Sequence, residues 1–147
     1  MADGLTPERR SALMSRVKSK NTSPEIKVRR LVHSLGFRFR LHRRDLPGSP
    51  DLVFPGRRKV VFVHGCFWHR HEGCTKASFP RSRREYWEEK FAGNVERDLL
   101  AEVALRDRGW QVMKVWECET VSKNFGNLAY RLRDFLSDCG NQSRSRR

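Results

Sequence analysis

The chain has 147 residues, a length that suits one domain with a buried core and leaves no room for a second. Lysine and arginine number 31 against 17 acidic residues, a net charge of +14 that points to nucleic acid; the cations are spread along the chain, which argues against a membrane-surface helix. No apolar run approaches the about 20 residues that span a bilayer and no secretory signal opens the chain, so a soluble cytoplasmic protein with reduced cysteines is expected.

In chain order, a first helix is expected over about 8–19. A second begins where Ser23 can cap and Pro24 can take the first helical position, and Gly36 ends it. Phe37, Phe39 and Leu41 alternate with Arg38 and Arg40, the period of a strand with one apolar face. The turn at 46–50 leads into a short apolar strand, 51–54. Pro55 and Gly56 then reverse the chain into 59–63, read as a central, buried strand. Ser82 to Glu85 is a capping-box pattern that opens a helix, with an interruption expected near Gly93 and Asn94 before a further helix reaches Arg108. Residues 111–116 read as another strand, bracketed by Trp110 and Trp116 as core residues. A last helix, about 126–138, precedes a basic tail expected to be disordered and free to screen phosphates. The fold class is therefore α/β, with no internal repeat.

Between the central strand and the Ser82 helix, residues 62–74 hold three of the five histidines, two of the four cysteines and two adjacent aromatics. Cysteine and histidine are the ligands Zn²⁺ prefers, and Cys66, His71 and Cys74 are close enough in sequence for one loop to wrap a tetrahedral ion. Cys118, at the end of an apolar strand, is the best candidate for the fourth ligand. A structural zinc clip alone is one reading; His64 and His69, left over from it, give a second, acid–base chemistry. Cys139 stands apart as a free thiol.

Asp51 opens its strand, and the neighbouring strand runs straight into His64. A turn residue is the plain reading of such an aspartate. The other is a site at one end of the sheet, where Asp51, the Val63 carbonyl, His64 and His69 converge. That set suits phosphodiester hydrolysis, with Mg²⁺ on the phosphate oxygens and a histidine taking a proton from water.

Four segments, Val63-His64-Gly65-Cys66-Phe67-Trp68-His69, Pro47-Gly48-Ser49-Pro50-Asp51, Asn94-Val95-Glu96-Arg97-Asp98 and Val115-Trp116-Glu117-Cys118, together resemble the very short patch repair (Vsr) DNA mismatch endonucleases over about 8–136. The resemblance implies a restriction-endonuclease-like core, a central mixed sheet flanked by helices, with a structural zinc. It implies Mg²⁺-dependent nicking of one strand of double-stranded DNA beside the thymine of a T·G mismatch, the product of 5-methylcytosine deamination. Carried over position by position, Asp51 is the side-chain ligand of Mg²⁺ and residue 63 gives its main-chain carbonyl. His69 is the general base, supported by His64 and Glu25, and Cys66, His71, Cys74 and Cys118 hold zinc. Phe67, Trp68 and Trp87 wedge into the base stack, although burial on its own helix is the competing reading for Trp87. Asn94 is placed to meet a base edge. Met14 lies on a basic first helix that resembles an arm embracing the opposite groove, dividing the chain into an arm (1–20), an endonuclease domain (21–138) and a tail (139–147). Action as a monomer, alongside a cytosine-5 DNA methyltransferase and a repair polymerase, is implied as well.

The chain departs from the wider superfamily, whose aspartate is followed by Glu-x-Lys on the next strand. Here that stretch is Val61-Phe62-Val63, so water activation must pass to a histidine, with His64 and His69 both available. Two alternatives remain at this stage: a zinc-stabilised DNA-binding module without catalysis, and a restriction-type nuclease that cuts both strands of a matched site.

Overall fold

A computed structural model describes residues 22–137. The expected first helix with Met14, the Cys139 thiol and the basic tail lie outside the described residues. Helix α1 (Ser23–Ser34) is capped by Thr22, whose hydroxyl accepts from the Glu25 amide at 3.4 Å. Ser23, read as the cap, is already helical. Thr22 holds the extended backbone a cap requires, and this shift places Pro24 one step further in, still within the turn whose amides need no partner.

Strands β1 (Arg40–Leu41), β2 (Leu52–Phe54), β3 (Lys59–His64) and β4 (Gln111–Trp116) form one sheet in the order β1-β2-β3-β4. The β1–β2 and β2–β3 pairs are antiparallel and β3–β4 is parallel, so the sheet is mixed. β1 is shorter than its apolar alternation suggests. Only residues 40 and 41 join the ladder, while Phe37 and Phe39 pack against the core from outside it.

Helix α2 (Arg84–Asp107) supplies the crossover that the parallel pair demands. It runs through Gly93 and Asn94 without a break, contrary to the interruption expected there. One glycine costs a helix about 1 kcal/mol relative to alanine, and burial of Trp87, Phe91 and Leu105 over 24 residues outweighs it. Nor does the capping box form: Arg83, in the left-handed region at φ 56°, precedes the helix and no side chain caps it. Helix α3 (Phe125–Ser137) closes the domain with Leu128, Leu132 and Leu136, a fully buried stripe at i, i+4, i+8. Among the described residues no helix is long and apolar enough to cross a membrane.

Strand alternation sorts the core into two layers. Val61 and Val63 of β3, with Leu52, Phe54, Met113 and Val115, face α1 and α3. Val60 and Phe62, with Val53, Val112, Leu105 and Trp110, face α2. His64 continues the second set, so β3 delivers an imidazole to the α2 side at the end of the sheet.

Chain entry to β2 is shaped by a turn in which the Ser49 amide donates to the Leu46 carbonyl at 3.1 Å, with Pro47 and Gly48 central. Gly48 has φ 75°, the position of a type II turn that disfavours a side chain. A Cβ there would lie 2.7 Å from that of Ala101 and 3.1 Å from the Phe62 ring. Gly48→Ala is therefore expected to cost about 1–3 kcal/mol from the strained φ alone, visible as a lower urea midpoint; an unchanged midpoint would show that the turn relaxes freely.

Candidate active site and metal cluster

β2 begins only at Leu52, so its antiparallel ladder with β3 ends at the Leu52–Val61 pair, whereas β3 continues to His64. The Val63 amide thus has no β2 backbone to meet, and it donates instead to Asp51 Oδ2 at 2.6 Å. Backbone geometry points the Val63 carbonyl to the same side of the strand, into a cleft also lined by Glu25, His64, His69 and Asp98. Burial pushes the Asp51 carboxyl up to about 7; the Val63 hydrogen bond opposes the rise and the Glu25 carboxylate adds to it.

His64 and His69 lie face to face, ring centroids 3.9 Å apart and planes within 6°. Their surroundings differ. His64 is 5% exposed, its Nδ1 has no hydrogen-bond partner among the described residues, and burial, helped by His69, pushes its pKa down to about 3. It stays neutral at physiological pH. His69 Nδ1 instead meets Asp98 Oδ2 at 2.6 Å, which fixes the tautomer and leaves Nε2 as the proton acceptor.

On the opposite side of the loop, the ligand atoms of Cys66, His71, Cys74 and Cys118 all lie within 4.8 Å of one another. His71 Nδ1 is 3.6 Å from the Cys66 sulfur and 3.4 Å from that of Cys118. One imidazole between soft thiol donors is a set that can hold a metal ion. Burial raises the Cys66 thiol to about 12 when no cation compensates it. The ring of Trp116 stacks on His71 at 4.2 Å and meets His64 edge-on at 5.2 Å, so this residue, expected in the core, lies between the thiol cluster and the His64–His69 pair.

Phe67 and Trp68 are half-buried at the tip of the same loop, in T-shaped contact at 5.1 Å. Trp87 is only 2% exposed, covered by Phe67, Trp68, Tyr86 and Phe91, so in this arrangement it lies behind the pair. The carboxamide of Asn94, expected at a base edge, is engaged at both ends: Nδ2 donates to the Trp68 carbonyl at 3.0 Å and Oδ1 accepts from Arg97. In this arrangement it ties the aromatic loop to α2.

Three contributors escape the sequence reading. Asp98 was visible only as part of a motif; its offset of four from Asn94 is the signal that both face the loop. Arg70 donates to the carbonyls of Phe67 at 3.0 Å and Ser78 at 3.3 Å and lies 4.0 Å over the Phe91 ring, closing the loop on itself. His42, in a left-handed conformation (φ 48°), puts Nε2 at 3.3 Å from Glu25 and 3.9 Å from Asp51.

Comparison with known proteins agrees with this geometry. The family model for DNA mismatch endonuclease Vsr matches residues 2–76. The type II nicking enzyme V.XorIIP of Xanthomonas oryzae pv. oryzae is 56% identical over 136 residues, covering 92% of this chain and 98% of its own. V.NmeAIP of Neisseria meningitidis, also named a type II nicking enzyme, is 42% identical over 84% of this chain and 87% of its own. The DNA mismatch endonuclease Vsr of Escherichia coli is 41% identical over 80% of this chain and 75% of its own. A carboxylate, two histidines and a mixed α/β core with relatives of this kind define an endonuclease acting on DNA, which displaces the non-catalytic binding module. The chain belongs to the Vsr family of DNA mismatch endonucleases.

The opposed shifts of Asp51 and His64 leave a signature in stability. Asp51, raised in the fold, favours folding below about 4 and loses that contribution as pH climbs to about 7. His64, lowered in the fold, favours folding above about 6.5 and loses its contribution as pH falls. Between about 4 and 6.5 the two slopes cancel. In buffer without divalent cations, Asp51→Asn is expected to unmask stability that rises with pH through this window, and His64→Gln stability that falls. Parallel urea midpoints for both variants and the parent would contradict the burial of both groups.

Proposed function

We propose that the protein nicks one strand of duplex DNA beside the thymine of a T·G mismatch, by Mg²⁺-dependent phosphodiester hydrolysis, and so begins repair of deaminated 5-methylcytosine. The observation that carries this reading is the 2.6 Å His69–Asp98 pair lying beside Asp51 and Val63 in one cleft. Relatives named as nicking and mismatch endonucleases support it.

Asp51 and the Val63 main-chain carbonyl, both hard oxygen donors, would hold Mg²⁺, with Glu25 nearby. Bound there, the ion would neutralise phosphate oxygens and assist the leaving oxygen. His69 Nε2 takes the proton from the attacking water, and Asp98 stabilises the imidazolium that results. His64, neutral and stacked on His69, fixes the plane of that ring and adds no competing charge. The His69–Asp98 pair supports His69 as the base, the role the resemblance implies, over His64.

Cys66, His71, Cys74 and Cys118 fit a structural Zn²⁺: bond lengths of a tetrahedral site put neighbouring S and N ligands about 3.6 Å apart, close to the 3.4 and 3.6 Å found. Phe67 and Trp68 form the wedge, with Trp87 as its base. Unstacking is cheapest where pairing is already weak, which favours a mismatch. We also infer a restriction-endonuclease-like core for 21–138, an arm at 1–20 carrying Met14, a basic tail at 139–147, and action as a cytoplasmic monomer alongside a cytosine-5 DNA methyltransferase and a repair polymerase.

End-labelled duplexes, matched and T·G mismatched, with and without Mg²⁺, test the reaction directly. Asp51→Ala and His69→Ala are expected to lower single-turnover nicking by orders of magnitude while mismatched duplex is still retained. The rise of the rate with pH should vanish in His69→Ala and survive in His64→Gln. Its survival in His69→Ala would reverse the assignment, and Mg²⁺-dependent cutting of both strands of a matched duplex would favour a restriction-type nuclease.

Cys118→Ser is expected to lose bound zinc and lower the melting temperature, since such a site contributes folding free energy directly. Elemental analysis with thermal melting checks this; one zinc per chain at unchanged stability would remove Cys118 from the ligand set.

A further inference from the structure

His42, next to the end of β1, lies outside the loop that carries His64, His69 and His71. Its Nε2 lies 3.3 Å from Glu25 Oε1 and 3.9 Å from Asp51 Oδ1, two carboxylates that line the cleft. The three ligand atoms group within 4.8 Å of one another. Glu25 comes from the first turn of α1 and Asp51 from the start of β2, so two carboxylates on separate elements converge on one point, and the coulombic effect of Glu25 raises the Asp51 carboxyl. Convergence of like charges needs a donor to hold it. Arg29 supplies one at 3.3 Å to Glu25, from the same helix. Arg29 also reaches Asp51 through its charge, whereas the His42 ring lies close to both carboxylates; with the Glu25 carboxylate accepting, Nε2 carries the hydrogen.

Backbone geometry shows how the ring is brought there. His42 sits at φ 48°, in the left-handed region that side chains rarely occupy, while its amide donates to the Asp51 carbonyl at 3.3 Å. Main chain and side chain of one residue therefore grip the segment that carries Asp51. A strained residue that contacts two carboxylates of a cleft fits the pattern in which conformation serves function.

We infer that His42 is a positioning residue for the cation site: its hydrogen bond to Glu25 holds that carboxylate beside Asp51, and it does not itself ligate the ion. The inference rests on the proposed Mg²⁺ chemistry. A hydrogen-bonding role is satisfied by any side chain with an N–H at that distance, whereas a ligand role requires the imidazole nitrogen.

The test is Mn²⁺ binding to the full chain, followed by loss of the free Mn²⁺ electron paramagnetic resonance signal, together with the Mg²⁺ concentration that gives half-maximal nicking. His42→Leu is expected to weaken both at least tenfold, with the nicking loss recovered at high Mg²⁺, while His42→Gln stays within about threefold of the parent. In a Glu25→Gln background His42→Leu should add less than threefold, because the group it acts through is already altered; this comparison between two variants remains informative even if His42→Leu alone folds poorly. Equal loss in His42→Leu and His42→Gln would overturn the inference in favour of ligation, and unchanged binding in His42→Leu would overturn it outright. Absence of cation binding and of Mg²⁺-dependent nicking in the parent would instead bring down the metal reading itself, and His42 with it.

Discussion

The 2.6 Å hydrogen bond from the Val63 amide to Asp51 stands where the next ladder bond between β2 and β3 would have been. A buried amide without a partner costs about 1–3 kcal/mol, so the carboxylate is held in place by the needs of the sheet itself. Because the β2 ladder ends at Leu52 and its place is taken by a side chain, the Val63 carbonyl is left facing a cleft. Shortening one strand thus brings a carboxylate and a free main-chain carbonyl to one cleft at once. The remaining groups arrive relative to this point: Glu25 from α1, His64 by continuation of β3, and Asp98 from α2.

A single loop leaving β3 carries both clusters. His69 turns toward α2 and the cleft, while Cys66 and His71 turn toward Cys118, and Trp116 packs between the two sets. Backbone bonds from His69 to Gly65 at 3.1 Å and from His71 to Cys66 at 3.0 Å tighten the loop locally. Its global shape depends on what gathers the thiols. An ion bound there would therefore set the orientation of Phe67, Trp68 and His69 together, so the cluster and the chemistry are mechanically one unit.

Features written in contiguous residues were legible beforehand. β3 reads as a mostly apolar run, β4 falls on the residues read as a strand, and the Cys/His spacing of 66–74 announces a cluster whose fourth member lies just beyond an adjacent parallel strand. What escaped depends on distant partners. Gly93 looked like a break because propensity is local, whereas the continuity of α2 comes from Trp87, Phe91 and Leu105 packing on groups far away in sequence. His42 gave no signal, since a left-handed backbone on a non-glycine residue cannot be read from composition. Trp87 was ambiguous for a similar reason: an aromatic on a helix is buried or exposed according to which loop folds over it, and here Phe67 and Trp68 do.

The unbroken α2 has a metric consequence. Trp87, beneath the aromatic pair, and Asp98, behind His69, are about three helical turns apart, roughly 16 Å along the axis, and so share one face. Asn94, between them, anchors the loop to the same face. A helix changes such a distance only in whole residues, each adding about 1.5 Å and turning the following side chains by about 100°. The separation between the aromatic pair and the His69–Asp98 pair is thereby graduated like a vernier: lengthening α2 by one residue within this span would swing Asp98 away from His69 while leaving Trp87 seated. The aromatic tip and the histidine cleft are kept in step by the pitch of a single rod.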